Sequence, residues 1–437
     1  MRQRLSFLIL CIFASFFAQA QSQEEKQNQF DVDINIRPRA EYRNGFKTPL
    51  FKDEKSATFV NQRSRLSLQY QRSDNLSAAL SLQNVSVWGE YPITNVKNNN
   101  VAIFEAWAQF KTDEGLFVKF GRQVLNYDDG RFLSGLDWHQ AARSHDALKF
   151  GYQTTDHQLD LMFAYNQDEE RASGGTYYGA FGVPYKTMQT LYYQNKMIAG
   201  FTPSFMFINV GLEEGNVATG ESKLANMQTV GTNLIYKPIS EFSLQGNVFY
   251  QMGKRRFFDE KISAYMLTLR GDYNVSSKFS LNAGTDYLSG EDHGVINGKD
   301  TYNAFNTLYG GYHARFGVMD MVIASPYRAG MNLGVWSKFI GVNYRPIFKL
   351  NLGLTYFHLS TAADVYDSGS DLTSNLGSEI DFLLDYDIMK NVKLSFGYAT
   401  FFGTPTMDFV KGGDHKVWQD WAFLSVTVNP RVFSSKW

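Results

Sequence analysis

Residues 30–43 alternate without a break. Phe30, Val32, Ile34, Ile36, Pro38, Ala40 and Tyr42 hold the even positions, and Asp31, Asp33, Asn35, Arg37, Arg39, Glu41 and Arg43 hold the odd ones. A repeat of two is the side-chain period of a β-strand, so this stretch carries one apolar and one charged face. Strands of soluble proteins usually run about 5–6 residues. A tilted membrane-crossing strand needs about 9–11, which this run exceeds.

The pattern recurs. Val60, Leu66, Leu68 and Tyr70 oppose Asn61, Arg63, Arg65, Ser67, Gln69 and Gln71. Ala102, Phe104, Ala106, Ala108 and Phe110 alternate with Glu105, Trp107 and Gln109, and Leu376 to Tyr386 sets Glu379, Asp381 and Asp385 on one face. About 18 such segments can be read, an even number suited to a single-chain bacterial barrel. Short turns (73–75, 112–115, 154–156, 237–240, 274–277, 345–347, 389–391) take turns with long Gly-, Asn-, Asp- and Tyr-rich stretches such as 126–143, 168–186, 213–224 and 289–330. Short turns at one rim and long loops at the other is the organisation of outer-membrane barrels. A secreted sandwich would alternate too, but with shorter strands and no reason to order its loops by length.

The first 20 residues read as a secretory leader. Arg2 and Arg4 precede an apolar run from Leu5 to Ala18, and Ala18-Gln19-Ala20 offers a small-x-small cleavage site. The expected domains are therefore a signal peptide at 1–20 and one barrel at 21–437. Cys11, the only cysteine, lies inside the leader and not at its end, so neither lipidation, disulfides nor thiolate metal sites are expected in the mature chain. Losing Arg2 and Arg4 leaves 40 basic and 43 acidic side chains, and no basic excess argues for nucleic acid. After the leader no apolar run is long enough for a spanning helix. Aromatics are abundant, with 36 Phe, 25 Tyr and 7 Trp, while mean hydropathy is slightly negative. That combination fits a wall that is apolar towards lipid and polar within.

Three stretches resemble the alginate export family of outer-membrane barrels. The first runs through Gly121-Arg122-Gln123-Val124-Leu125, Tyr127-Asp128-Asp129-Gly130-Arg131-Phe132, Trp138 and Arg143-Ser144-His145-Asp146-Ala147-Leu148-Lys149. The second is Asn303-Ala304-Phe305-Asn306-Thr307-Leu308-Tyr309 with His313, Gly317 and Asp320, and the third is Leu376-Gly377-Ser378-Glu379-Ile380-Asp381. The resemblance implies an 18-stranded monomeric barrel in the outer membrane of a Gram-negative cell. It implies a charged pore passing an anionic polysaccharide or oligosaccharide by passive diffusion, and it leaves room for periplasmic export or uptake partners.

Arg37, Arg39, Arg43, Arg63 and Arg65 share the polar faces of the first two strands. As a ladder of guanidinium forks they would suit carboxylates. As partners of Asp31, Asp33, Glu41 and Glu105 they would be structural ion pairs, and both readings stand. Arg122 falls in phase with Leu116, Val118 and Phe120, on what should be the lipid face; a bulge at Gly121 or a rim position is expected, and the resemblance assigns it to the pore. The loop 126–143 is expected to fold inward, with Arg131 and Arg143 offered to sugar carboxylates and Trp138 to a sugar face. Alternatively Asp128 and Asp129 only neutralise those arginines. Glu379 and Asp381 predict an acidic wall opposite the basic one, a transverse field equally suited to a general or neutral-saccharide porin.

Enzymatic chemistry finds no support. Asp128 and Asp129 could be paired carboxylates, and His139 and His145 metal ligands, but no hydrolase or zinc motif accompanies them. An outer-membrane lipase is the remote alternative. No catalytic residue, metal or cofactor is expected. The segment 408–420 could bind calcium, but reads better as a solvated turn before an interfacial aromatic belt.

Overall fold

The computed structural model describes residues 27–73, 75–94, 100–167, 170, 172–174, 185–216, 218–293, 300–328, 330–367 and 370–437. The leader at 1–20 lies outside the described residues, as do parts of the long loops.

Strands β1 (Asn28–Asn44), β2 (Ala57–Arg72), β3 (Leu76–Val87), β4 (Ala102–Lys111), β5 (Leu116–Gln123) and β6 (His145–Gln153) open the barrel. They are followed by β7 (His157–Tyr165), β8 (Thr187–Asn195), β9 (Phe201–Asn216), β10 (Glu221–Ile239), β11 (Phe242–Lys254), β12 (Lys261–Asn274) and β13 (Phe279–Leu288). A two-residue strand β14 (Thr301–Tyr302) lies in the next loop, before β15 (Val335–Ile347) and β16 (Leu350–Ser360). A small hairpin, β17 (Val365–Asp367) and β18 (Ser370–Leu372), precedes β19 (Asn375–Met389) and β20 (Val392–Gly403). Helix α1 (Pro405–Lys411) leads to β21 (Gln419–Val428) and β22 (Arg431–Lys436).

The last two strands are halves of one stave. Asn429 and Pro430 interrupt it, because proline has no N–H for the ladder. Both halves pair antiparallel with β1, closing an 18-strand antiparallel barrel. Closure pairs the backbone along every edge, which a wall standing in hydrocarbon requires. No described helix is long and apolar enough to cross a membrane; the strands do the crossing.

Burial runs inside out. Arg39 and Glu41 are buried while Ile36 and Tyr42, on the opposite face of the same strand, are exposed. The apolar faces register around the wall: Leu161, Leu191, Phe207, Val230, Tyr250 and Tyr265 form one continuous outward row across β7 to β12. A row of this kind has no partner but lipid.

Two expectations are corrected here. A register shift between β3 and β4 turns Phe104 inward beside Glu105, so Phe104 is buried under Arg65 and does not join Ala106, Ala108 and Phe110 outside. The stretch 213–224, read as a loop, is mostly strand: β9 and β10 pair on to Asn216 and Glu221 as a projecting hairpin. The ladder bonds and the Ser222–Glu213 hydrogen bond hold polar residues in extended backbone there.

Two long loops turn into the lumen. The first, residues 124–144, buries Leu125, Tyr127, Phe132 and Leu133; the second, within 303–334, buries Phe305, Phe316, Val318 and Met319. They pair with each other at Leu133 and Tyr309. On one side they pack against inward-facing Met162, Met188, Met206, Met227 and Met266. Methionine fills irregular gaps well, and these strands are apolar on both faces because loops cover their inner one.

Candidate functional site

The first inward loop spans the lumen from wall to wall. At one end Tyr127 donates to Asp160 at 2.7 Å, and Asp128 accepts from Tyr192 at 2.7 Å. At the other, Arg37 donates to Gln140 at 2.9 Å, Arg39 to the Trp138 carbonyl at 3.0 Å, and Gln83 to the Ala141 carbonyl at 2.8 Å. The expected inward fold is what the structure contains.

The basic wall comes from β1 and β2, whose alternation turns all five arginines inward. Arg39 and Arg43 share Glu41, at 2.9 and 2.8 Å. Arg37 and Arg63 share Asp137 of the loop, at 3.4 and 2.6 Å, and the Asp137 side chain is 68% exposed. Arg65 donates to the carboxamide of Gln83 and lies 3.6 Å over the Phe104 ring. Among the described residues, four of these five guanidinium groups thus share two carboxylates in ion pairs, and Arg65 has none. Asp31 and Asp33 are taken up by Arg431 at the short-turn rim, and Glu105 accepts from the Trp107 indole. Of the four carboxylates expected as structural partners, Glu41 alone forms an ion pair with these arginines among the described residues.

Lys119 and Lys149 extend this wall and were missed by sequence reasoning. They stand directly opposite each other on β5 and β6. Lys119 Nζ lies 3.5 Å from the Trp107 ring, and Lys149 Nζ 3.6 Å from Asp160. The signal was present, since Lys119 alternates with Val118 and Phe120 and Lys149 closes the first motif, but no spacing within the sequence sets the two side by side.

The loop arginines do another job. Arg131 bridges Asp129 at 2.7 Å and Asp286 of β13 at 2.9 Å, with Arg131 and Asp286 buried and Asp129 half-buried, and Arg315 of the second loop joins Asp129. Burial alone would lower the affinity of Arg131 for its proton, but Asp286 and Asp129 outweigh it and raise it. Burial pushes the Asp128 carboxyl up despite its hydrogen bonds. Arg143 donates to the carbonyls of Tyr309 and Gly310, fastening one loop to the other. Trp138 stacks on His313 at 4.1 Å with Arg39 4.2 Å from its ring, and His313 pairs with Asp320 at 3.0 Å. Arg131, Arg143 and Trp138 thus hold the loop architecture together, because the loop must neutralise its own buried charge, while Trp138 and Arg143 also border a cavity.

For Arg122 the rim position, one of the two expected, is what the structure shows, and its place in the pore is a correction. Its strand runs in register with both neighbours, without the expected bulge, although Gly121 adopts φ +109. Arg122 therefore stays on the outer face with Phe120, one residue from the end of β5, and pairs with Asp146 at 2.9 Å. A rim ion pair is how that face tolerates the charge. Arg122 is no lumen residue.

The acidic wall is another. Glu379 and Asp381 are 0% and 3% exposed. They accept the backbone N–H groups of Met319 at 2.7 Å and Val318 at 3.1 Å. Gly317 lets the second loop approach: its φ is +90, and a Cβ there would stand 2.3 Å from the Glu379 carboxyl carbon. These acids face a loop and not the passage. Asp408, Asp414 and His415 come together near α1, but Asp408 is already bonded to His415.

Space remains above and below the loops. A cavity of about 570 Å³ on the long-loop side is lined by Arg39, Arg43, Lys47, His139 and Arg143. Burial, then Lys47 and Arg39, holds the His139 imidazole below its ordinary range. A second, of about 370 Å³, lies beneath Arg131 and Arg315.

The family model for alginate export matches residues 28–407. No curated relative matches the chain. Among solved structures it is similar to Acinetobacter baumannii OccAB2, at 13% identity and TM-score 0.61 over 92% of this chain and 98% of that one. It is similar to Pseudomonas aeruginosa OccK5 (OpdH), at 14% identity and TM-score 0.57 over 92% and 99%. It is also similar to P. aeruginosa OccK2 (OpdF), solved in complex with glucuronate, at 13% identity and TM-score 0.57 over 92% and 98%. At these identities the likeness is one of fold.

Proposed function

This chain belongs to the alginate export family, and from that premise we propose that it is an outer-membrane channel for acidic oligo- or polysaccharides, which pass by diffusion along its basic wall. The 1–20 segment serves as the secretory leader, and the barrel works as a monomer. The observation that carries this reading is the imbalance on β1 and β2, five arginines against Glu41 and Asp137. Asp137 is exposed and held by two guanidinium groups, so a passing carboxylate can replace it fork for fork. Lys119 and Lys149 continue the positive surface along β5 and β6. A glucuronate complex of a fold neighbour is in keeping with uronates as cargo.

Charge within a low-dielectric wall concentrates counter-ions and speeds their passage. The inward loops narrow the route and bring the solute against that wall. Arg39 and Arg43, tied to Glu41, favour a second reading: a porin for neutral saccharides whose lumen pairs are structural.

Planar bilayers separate the two. A digalacturonate should block single-channel current, and Arg37→Gln/Arg63→Gln should weaken that block about ten-fold or more, since a charge-assisted hydrogen bond contributes about 1.5–3 kcal/mol. Equal block in both proteins would leave the neutral porin as the better account.

A further inference from the structure

The cavity beneath the loops differs in chemistry from the basic wall. Its floor carries Gln245, Asn282, Asn343 and Thr355, whose side chains make no hydrogen bond to any described residue, and the aromatic rings of Phe339 and Phe357. Asn282 is 92% buried in the wall, yet its amide opens on this space. Asn282 is buried and Gln245, Asn343 and Thr355 half-buried, so four carboxamide and hydroxyl groups free of protein partners converge on one cavity, open to a ligand that can bond them.

The register explains the convergence. Asn282, Gly341 and Thr355 stand side by side on β13, β15 and β16. Gly341 leaves the room: a Cβ there would come within 2.8 Å of the Asn282 Oδ1 and 2.9 Å of the Thr355 Oγ1. In the adjacent row Phe339 is paired with Phe357, with ring centroids 5.8 Å apart. The charged groups that line it are ion-paired, Arg131 and Arg315 with Asp129, Arg131 with Asp286, and Arg270 with Asp272. Gln245 and Asn282 lie three residues into β11 and β13 from the short-turn ends, so the cavity adjoins that mouth.

We propose that this cavity is a second saccharide subsite, selective for the uncharged hydroxyl face of a sugar unit, opposite the arginines and next to the short-turn mouth. Carboxamides donate and accept together, which matches vicinal hydroxyls, and the phenyl rings offer an apolar surface to ring C–H groups. The volume of about 370 Å³ lies within the roughly 300–1,000 Å³ of small-molecule sites. The subsite deepens the channel reading, and its test is arranged so that the two fail separately.

The probe is cellobiose, a neutral disaccharide, blocking single-channel current through the full chain in planar bilayers. Block of the wild type is expected, with Asn282→Ala and Asn343→Ala each weakening it about three- to ten-fold for the hydrogen bonds lost. Thr355→Val, nearly isosteric, should weaken it as well and guards against a folding defect in the alanine variants. Arg37→Gln/Arg63→Gln should leave cellobiose block unchanged while weakening digalacturonate block. Cellobiose that does not block, or that blocks these three variants as well as the wild type, overturns the subsite. Digalacturonate block insensitive to the arginine pair overturns the anionic reading alone.

Discussion

On β1 and β2 a polar or charged residue at every second position yields an arginine surface with more charge than its partners neutralise. On β19 the same alternation yields Glu379 and Asp381, sealed under a loop whose N–H groups they accept. Alternation fixes which face a charge takes; the partner that arrives from elsewhere in the chain decides what the charge does. The arginines meet loop 137–141, which brings one acid and several carbonyls. The carboxylates meet Val318 and Met319, which bring donors and cover them.

The largest effect should follow from removing what the basic wall faces. Replacing residues 126–143 by a short linker should raise single-channel conductance several-fold in a barrel that still shows heat-modifiable mobility, since the strand ladder is untouched. Unchanged conductance would place the loop outside the route.

The buried clamp comes next. Arg131→Met leaves Asp286 without its ion-pair partner, and losing one member of a buried pair costs about 3–5 kcal/mol. A lower melting temperature in detergent and faster proteolysis of the inward loops are expected. Arg131→Met/Asp286→Asn should recover part of the loss, which a purely steric role for Arg131 would not allow.

On the acidic wall, Glu379→Ala/Asp381→Ala removes two acceptors, about 1–3 kcal/mol each. The second loop should then be cut faster by protease around residues 311–324, and current should flicker more. Smallest of all, Arg122→Ala should cost less than about 1 kcal/mol and leave conductance alone, because its pair with Asp146 sits on the outer face.

Much of this was legible in the chain. The alternation from Phe30 to Arg43 gives the strand, its facing and its membrane length, and the sequence of short and long connections gives the barrel. The inward path of 126–143 could be inferred because Tyr127, Asp128, Asp129 and Arg131 make little sense on a solvated loop. What those residues touch could not, since Asp286 and Tyr192 are far off in sequence. Gly317 and Asp320 stood out within a motif whose reason appears only when Glu379 and His313 are placed beside them. The inward methionines of β7 to β12 broke the polar-inside rule for a reason no local pattern carries: two other segments cover them. Phe104 went astray through a single bulge, which inverts a strand's facing and leaves little mark in composition.

The central claim is that the arginines face the passage and the carboxylates do not. Reversal potential under a salt gradient reads this directly. Arg37→Gln/Arg63→Gln/Arg65→Gln should move it towards cation preference, while Glu379→Gln/Asp381→Asn should leave it at the wild-type value. A shift from the carboxylate pair equal to that from the arginines, or none from the arginines, would contradict the account.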